Sequence, residues 1–157
     1  MSTMSHTHAR GRDIAFFIAL MATALALGGA LAHALELPNK IGMSREHYFV
    51  AQQLYTGWNR LALLLAIQAT GMLALIVLYW REPAVLRPVV VALACLVAAQ
   101  AVFWMWTFPA NVATDQWRVQ PENWAQLRAQ WEYSHLAGAV FQVGAMAALV
   151  VGVLRRG

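Results

Sequence analysis

Residues 61–80 read LALLLAIQATGMLALIVLYW, twenty positions without one charged side chain. A helix needs about 20 apolar residues to cross the hydrocarbon core of a bilayer. Buried helices of soluble domains are seldom this long and this uniformly apolar. Three further runs share the pattern: Ile14–Leu35, Val89–Phe108 and Leu136–Leu154, each bounded by charge, proline or both. Backbone groups inside lipid must bond within their own segment, which selects helices for runs of this length. The sequence therefore predicts an all-α fold, a four-transmembrane-helix bundle in a single membrane domain covering residues 1–157. With their flanks, the spans fall at about 14–36, 54–80, 87–108 and 131–154, after a polar N-terminal tail at 1–12.

Composition agrees. Hydrophobic residues make up 61% of the 157 and charged ones only 11%, about half of what a soluble domain carries. The formal charge of +4 comes from short arginine clusters between apolar runs and forms no basic stripe, so no nucleic-acid partner is expected. The single cysteine, Cys95, excludes an intrachain disulfide, a CxxC redox pair and a cysteine zinc site. The first run follows Arg10 and Arg12 and contains Ala30-Leu31-Ala32, as a cleaved leader would. It is longer than the ~7–15 residues of a leader's apolar region, so it is read as a retained span.

Four spans put both termini on one side. That side holds six arginines (Arg10, Arg12, Arg81, Arg87, Arg155 and Arg156) against Asp13 and Glu82. The other side balances Lys40, Arg45, Arg60, Arg118 and Arg128 against five carboxylates. Lysine and arginine accumulate in cytoplasmic loops, so the expected location is the cytoplasmic (inner) membrane, multi-pass, with cytoplasmic termini. Ser44 suits the cap of a helix starting near Arg45 and running into the second span. Pro121 suits the first turn of the fourth helix. Both helices 2 and 4 would then reach about 50 Å at 1.5 Å per residue and extend beyond the outer face. Pro38 is expected to end the first helix and Pro109 the third.

Six of seven tryptophans (Trp58, Trp104, Trp106, Trp117, Trp124 and Trp131) fall at the outer face, and Trp80 alone at the inner one. Aromatic belts occur at both interfaces, which leaves the bias unexplained. Two pairs stand among these rings: His33 with Glu36, and Glu132 with His135. Spacing of three puts each pair on one helix face. Antiparallel helices bring both to similar depth, making His33, Glu36, Glu132 and His135 the candidate catalytic residues. A di-iron site needs further carboxylates that helices 2 and 3 lack at that depth. Three options remain open: an ion-pair network in which Arg60 and Arg128 neutralise the glutamates, a single iron or copper ion held by His33, Glu36, Glu132 and His135, or, less favoured, bis-histidine haem. His6 and His8 are read as incidental. Gln68, Gln100 and Gln142 are expected to bond other helices, and Gly28, Gly29 and Gly71 to allow close helix approach.

The outer loops carry a resemblance. Glu36-Leu37-Pro38-Asn39-Lys40, Thr107-Phe108-Pro109-Ala110-Asn111, and Trp124, Arg128, Trp131, Glu132 and His135 in their spacing resemble the anthrone-oxygenase-like family of small four-span membrane proteins. The resemblance covers nearly the whole chain and departs at Gly138, where the family often has an arginine. It implies oxidation of an anthrone to an anthraquinone by molecular oxygen. The residues read alone agree with a flat apolar ligand in a tryptophan-lined pocket. Its candidate contacts are Tyr55, Trp58, Asn59, Arg60, Trp104, Asn111, Arg128 and Trp131. A histidine held by a glutamate is the natural base for an acidic C–H or O–H. The expected function is a membrane oxidoreductase or oxygenase acting on a small aromatic or quinone-like compound at the outer face. The rival is a non-enzymatic binder or partner subunit whose polar cluster is structural. The expected partners are the bilayer and a small hydrophobic aromatic ligand, with a homo-oligomer or partner subunit left open.

Overall fold

The computed structural model describes the backbone of residues 2–156 and the side chains of residues 10–156. The side chains of His6 and His8 lie outside the described residues. The order is α1 (Ser2–Lys40), α2 (Arg45–Gln52), α3 (Leu61–Leu78), α4 (Pro83–Val102), α5 (Phe108–Ala113) and α6 (Trp124–Leu154). Among the described residues, four stretches are long and apolar enough to cross a membrane: Arg10–Lys40, Trp58–Leu78, Pro83–Ala113 and Trp124–Leu154. The chain is thus an all-helical, multi-pass membrane bundle. α1 runs unbroken from Ser2, so the polar segment before the first apolar run is helical.

α1 packs on α3 and α6, α4 packs on α6, and α3 meets α4 more lightly, closing a ring of four. Arg156 pairs with Asp13 at 2.8 Å, bringing both chain ends to one end of the bundle. The core there joins Phe16, Ala19, Met72, Leu75, Val89, Ala92, Ala145 and Leu149. Lipid offers no hydrophobic drive between helices, so close van der Waals packing of small residues holds such bundles. Gly71 fits this: a Cβ there would lie 3.1 Å from the backbone of Ala19 on α1. Gly28 differs from expectation, since a Cβ would meet nothing within 4 Å, and at Gly29 it would meet only ordinary contacts. Gln68 and Gln142 exchange hydrogen bonds of 3.0 and 3.4 Å across the bundle.

The connections depart from the sequence reading at four places. Pro38 does not end α1, which continues to Lys40. One lost backbone bond in a last turn is outweighed there by the anchorage of Lys40 on Glu132 of α6. Pro109 does not end the third span either. A π-helical segment, Phe103–Thr107, precedes it and leaves Pro109 in the first turn of α5. There the missing N–H and ring are tolerated. Ser44 does cap α2, accepting from the His47 N–H at 3.4 Å, but α2 stops at Gln52 and does not run into α3. Two 3₁₀ turns, Gln53–Tyr55 and Trp58–Arg60, flank Gly57, whose φ of +89° suits glycine. Helix 2 is therefore broken. Helix 4 is continuous, about 46 Å long over its 31 residues at 1.5 Å each, but starts at Trp124, three residues after Pro121.

Candidate functional site

His33, Glu36 and Lys40 stand three and four residues apart, so the last turns of α1 present them on one stripe. α6 crosses this stripe with Trp131, Glu132 and His135, while α2 and the turn after it supply Tyr48, Gln52 and Tyr55. The centre is an ion pair: Lys40 Nζ lies 2.8 Å from Glu132 Oε1, with side chains only 4% and 0% exposed. The Tyr48 hydroxyl donates to the same oxygen at 2.9 Å, and the Gln52 amide donates to Tyr48. Lys40 also donates to the Tyr55 hydroxyl at 2.9 Å, and Tyr55 donates to Glu36. The ammonium sits 4.4 Å from the Tyr55 ring centre and 4.5 Å from that of Trp131, a further stabilisation of a desolvated cation. Burial above all, then the negative charge of Glu132, raises the Tyr48 phenol above its usual range. Burial and then Glu36 do the same for Tyr55. Both phenols stay protonated and act as donors.

Beside this network lies a ring cluster. The His33 imidazole centre is 4.2 Å from that of His135, 4.5 Å from Tyr55, and 5.1 Å from both Trp58 and Trp131. His135 Nδ1 lies 2.9 Å from the Trp131 carbonyl. Asn111 Oδ1 accepts from two indoles, Trp131 at 2.9 Å and Trp117 at 3.1 Å. Trp117 reaches its place through three consecutive residues with positive φ, Asp115, Gln116 and Trp117, an uncommon backbone outside glycine. Buried polar atoms are normally paired. Here His33 Nδ1, Gln52 Oε1 and Glu132 Oε2 have no partner among the described residues.

No family profile, no curated protein and no solved structure matches the chain. The fold and the site therefore rest on its own residues.

The two histidines do meet, with Trp131 against both. The two glutamates are joined through Lys40 and Tyr55. Tyr55, Trp58 and Trp131 belong to the cluster. The other expected ligand contacts do not. Trp104 is 59% exposed and packs on Phe103 and Phe108. Asn111 is occupied by its indoles. Asn59 and Arg60 are exposed, and among the described residues Arg60 makes no ion pair. Arg128 donates to the Met43 carbonyl at 2.7 Å and lies 4.6 Å over Trp124. The neutralising cation is Lys40, and neither Arg60 nor Arg128 fills that role. Sequence reasoning missed Lys40 because it was counted as a loop charge beyond Pro38. Its spacing of seven from His33 carried the signal.

The proposed metal set is not assembled. Among the described residues no three His, Cys, Asp or Glu side chains are arranged to hold an ion. Glu132 is engaged by an ammonium, which repels a metal cation. Bis-histidine haem does not fit either, since its macrocycle would have to separate two imidazoles that are in contact.

Proposed function

We propose that this protein is a membrane oxidoreductase of the anthrone-oxygenase-like kind, acting on a small, flat, hydroxylated aromatic or quinone-like compound. The observation that carries the reading is the ring cluster around His33 and His135 beside a buried Lys40–Glu132 pair, with His33 Nδ1 and Glu132 Oε2 unpartnered. His33 or His135 takes the acidic C–H or O–H proton of the bound compound. Lys40 stabilises the enolate or phenolate that forms, in a site where water is excluded. Trp58, the most exposed ring of the cluster at 36%, is the face through which a planar compound arrives from the bilayer. Molecular oxygen is the oxidant: an anthrone and one O₂ give the anthraquinone and one water. The arginine bias supports cytoplasmic termini, with this site at the outer face of the inner membrane.

The test is oxygen uptake by purified protein with a hydroxyanthrone and with a quinol, measured beside a melting curve. His33→Ala and His135→Ala should remain folded and lose about 100- to 10,000-fold in turnover, the usual worth of a general base. Wild-type protein inert towards both compounds, or folded histidine variants at full rate, would sink the reading. A second reading, a non-enzymatic bundle whose polar cluster is scaffold, is favoured by the mutual contact of the cluster's own rings. It expects both histidine variants to melt early.

A further inference from the structure

The opposite end of the bundle holds a depression lined by Arg12, Asp13, Tyr79, Val153 and Arg156. Two guanidinium groups are fixed in it. Arg12 donates through one terminal nitrogen to the Leu78 carbonyl at 3.0 Å and pairs with Glu82 at 2.6 Å, lying 4.4 Å over the Tyr79 ring. Arg156 donates to Asp13 at 2.8 Å and lies 4.5 Å over the Phe16 ring. A guanidinium carries five N–H donors. These contacts engage one terminal nitrogen of each arginine, and the side chains remain 36% and 28% exposed. Arg10, Arg81, Arg87 and Arg155 belong to the same end of the bundle as the site, all exposed and without an ion pair among the described residues. Beside it, Ile14, Phe17 and Leu154 present apolar side chains outward at 51%, 65% and 78% exposure.

We propose that this depression binds the headgroup of one anionic phospholipid, its phosphate bridging Arg12 and Arg156. Guanidinium forks match phosphate oxygens with paired, charge-assisted hydrogen bonds. Holding both groups beforehand reduces the ordering needed on binding. The adjoining apolar side chains offer a track for acyl chains, which a free phosphate ion would not use. The four unpaired arginines repel the ammonium of a zwitterionic headgroup and favour an anionic one.

The experiment titrates detergent-purified protein with phosphatidylglycerol, phosphatidylcholine and inorganic phosphate. Bound lipid is read by native mass spectrometry and stability by melting curve. Phosphatidylglycerol should bind at one equivalent and raise the melting temperature saturably, while the other two do neither. Arg12→Gln/Arg156→Gln should weaken that binding on the order of tenfold or more, as expected from losing charge-assisted bonds. Arg60→Gln/Arg118→Gln, exposed at the other end of the bundle, should change it by less than about threefold, since charges that far away are screened. Equal retention of phosphatidylcholine overturns the headgroup preference, and an equal response to inorganic phosphate overturns the lipid as the source. Undiminished phosphatidylglycerol binding by the Arg12/Arg156 variant overturns the site. If that variant does not fold, Arg156→Lys serves, keeping the charge while losing the fork, and the wild-type comparison of the two lipids stands alone.

Discussion

An ion pair joins α1 to α6 at one end and to the residues just past α6 at the other, with the charges reversed and the surroundings opposite. Arg156–Asp13 lies at the surface, with the aspartate 70% exposed. Lys40–Glu132 is sealed from solvent, with three aromatic rings around it, two of them tyrosines whose hydroxyls bond the pair. An exposed pair contributes about 0–1 kcal/mol. A buried pair gains much Coulomb energy but loses two hydration shells, and an apolar replacement is often as stable. A bundle that needed only a clasp between α1 and α6 would be served by leucines at positions 40 and 132. A desolvated lysine and glutamate beside two histidines in tilted contact is an arrangement suited to chemistry, because fixed charges act strongly where water is excluded.

The largest effects should come from breaking the buried pair on one side only. Lys40→Met or Glu132→Gln should each lower stability by about 3–5 kcal/mol, because one buried charge is left without its partner, read as a fall in melting temperature in detergent. A loss below about 1 kcal/mol, the worth of a surface pair, would erase the contrast between the two ends. A middle-sized effect should follow Asn111→Ala, which strands the indole N–H groups of Trp117 and Trp131. A loss of about 1–3 kcal/mol is expected from an unsatisfied buried donor, with a change in tryptophan emission as the local readout. The smallest should be Asp13→Asn, within about 1 kcal/mol and shrinking with added salt. A large, salt-insensitive loss there would mean that the termini end is also locked by its charges.

The spans were readable in the sequence because lipid imposes one rule on every residue of a run. Leu61–Leu78 is helical and apolar for the same reason at each position. The helix ends were less readable. Proline acts locally, and at Pro38 and Pro109 a tertiary anchor and a widened turn overcame it. The site was half legible. The spacing of three marked His33 with Glu36 and Glu132 with His135, and helix packing brought the histidines together. The ion-pair partner was misread, because the spacing of seven that links Lys40 to His33 has meaning only while the helix continues. That choice depends on α1 passing Pro38 and on α2 folding Tyr48 over Glu132. Tyr48 itself, fully buried in a short polar helix outside the spans, had no marker in sequence.

The most direct test of the central claim, that the buried cluster is a working site, is turnover by the doubly neutral variant Lys40→Met/Glu132→Gln. Removing both charges together should recover most of the stability lost in either single variant, since neither partner is then stranded. A clasp needs no more than that. A site loses its anion-stabilising cation, and removing one such preorganised group typically lowers turnover about 100- to 1,000-fold. The account predicts a double variant with near-wild-type melting and oxygen uptake with a hydroxyanthrone reduced by that factor. A stable double variant consuming oxygen at the wild-type rate would contradict it.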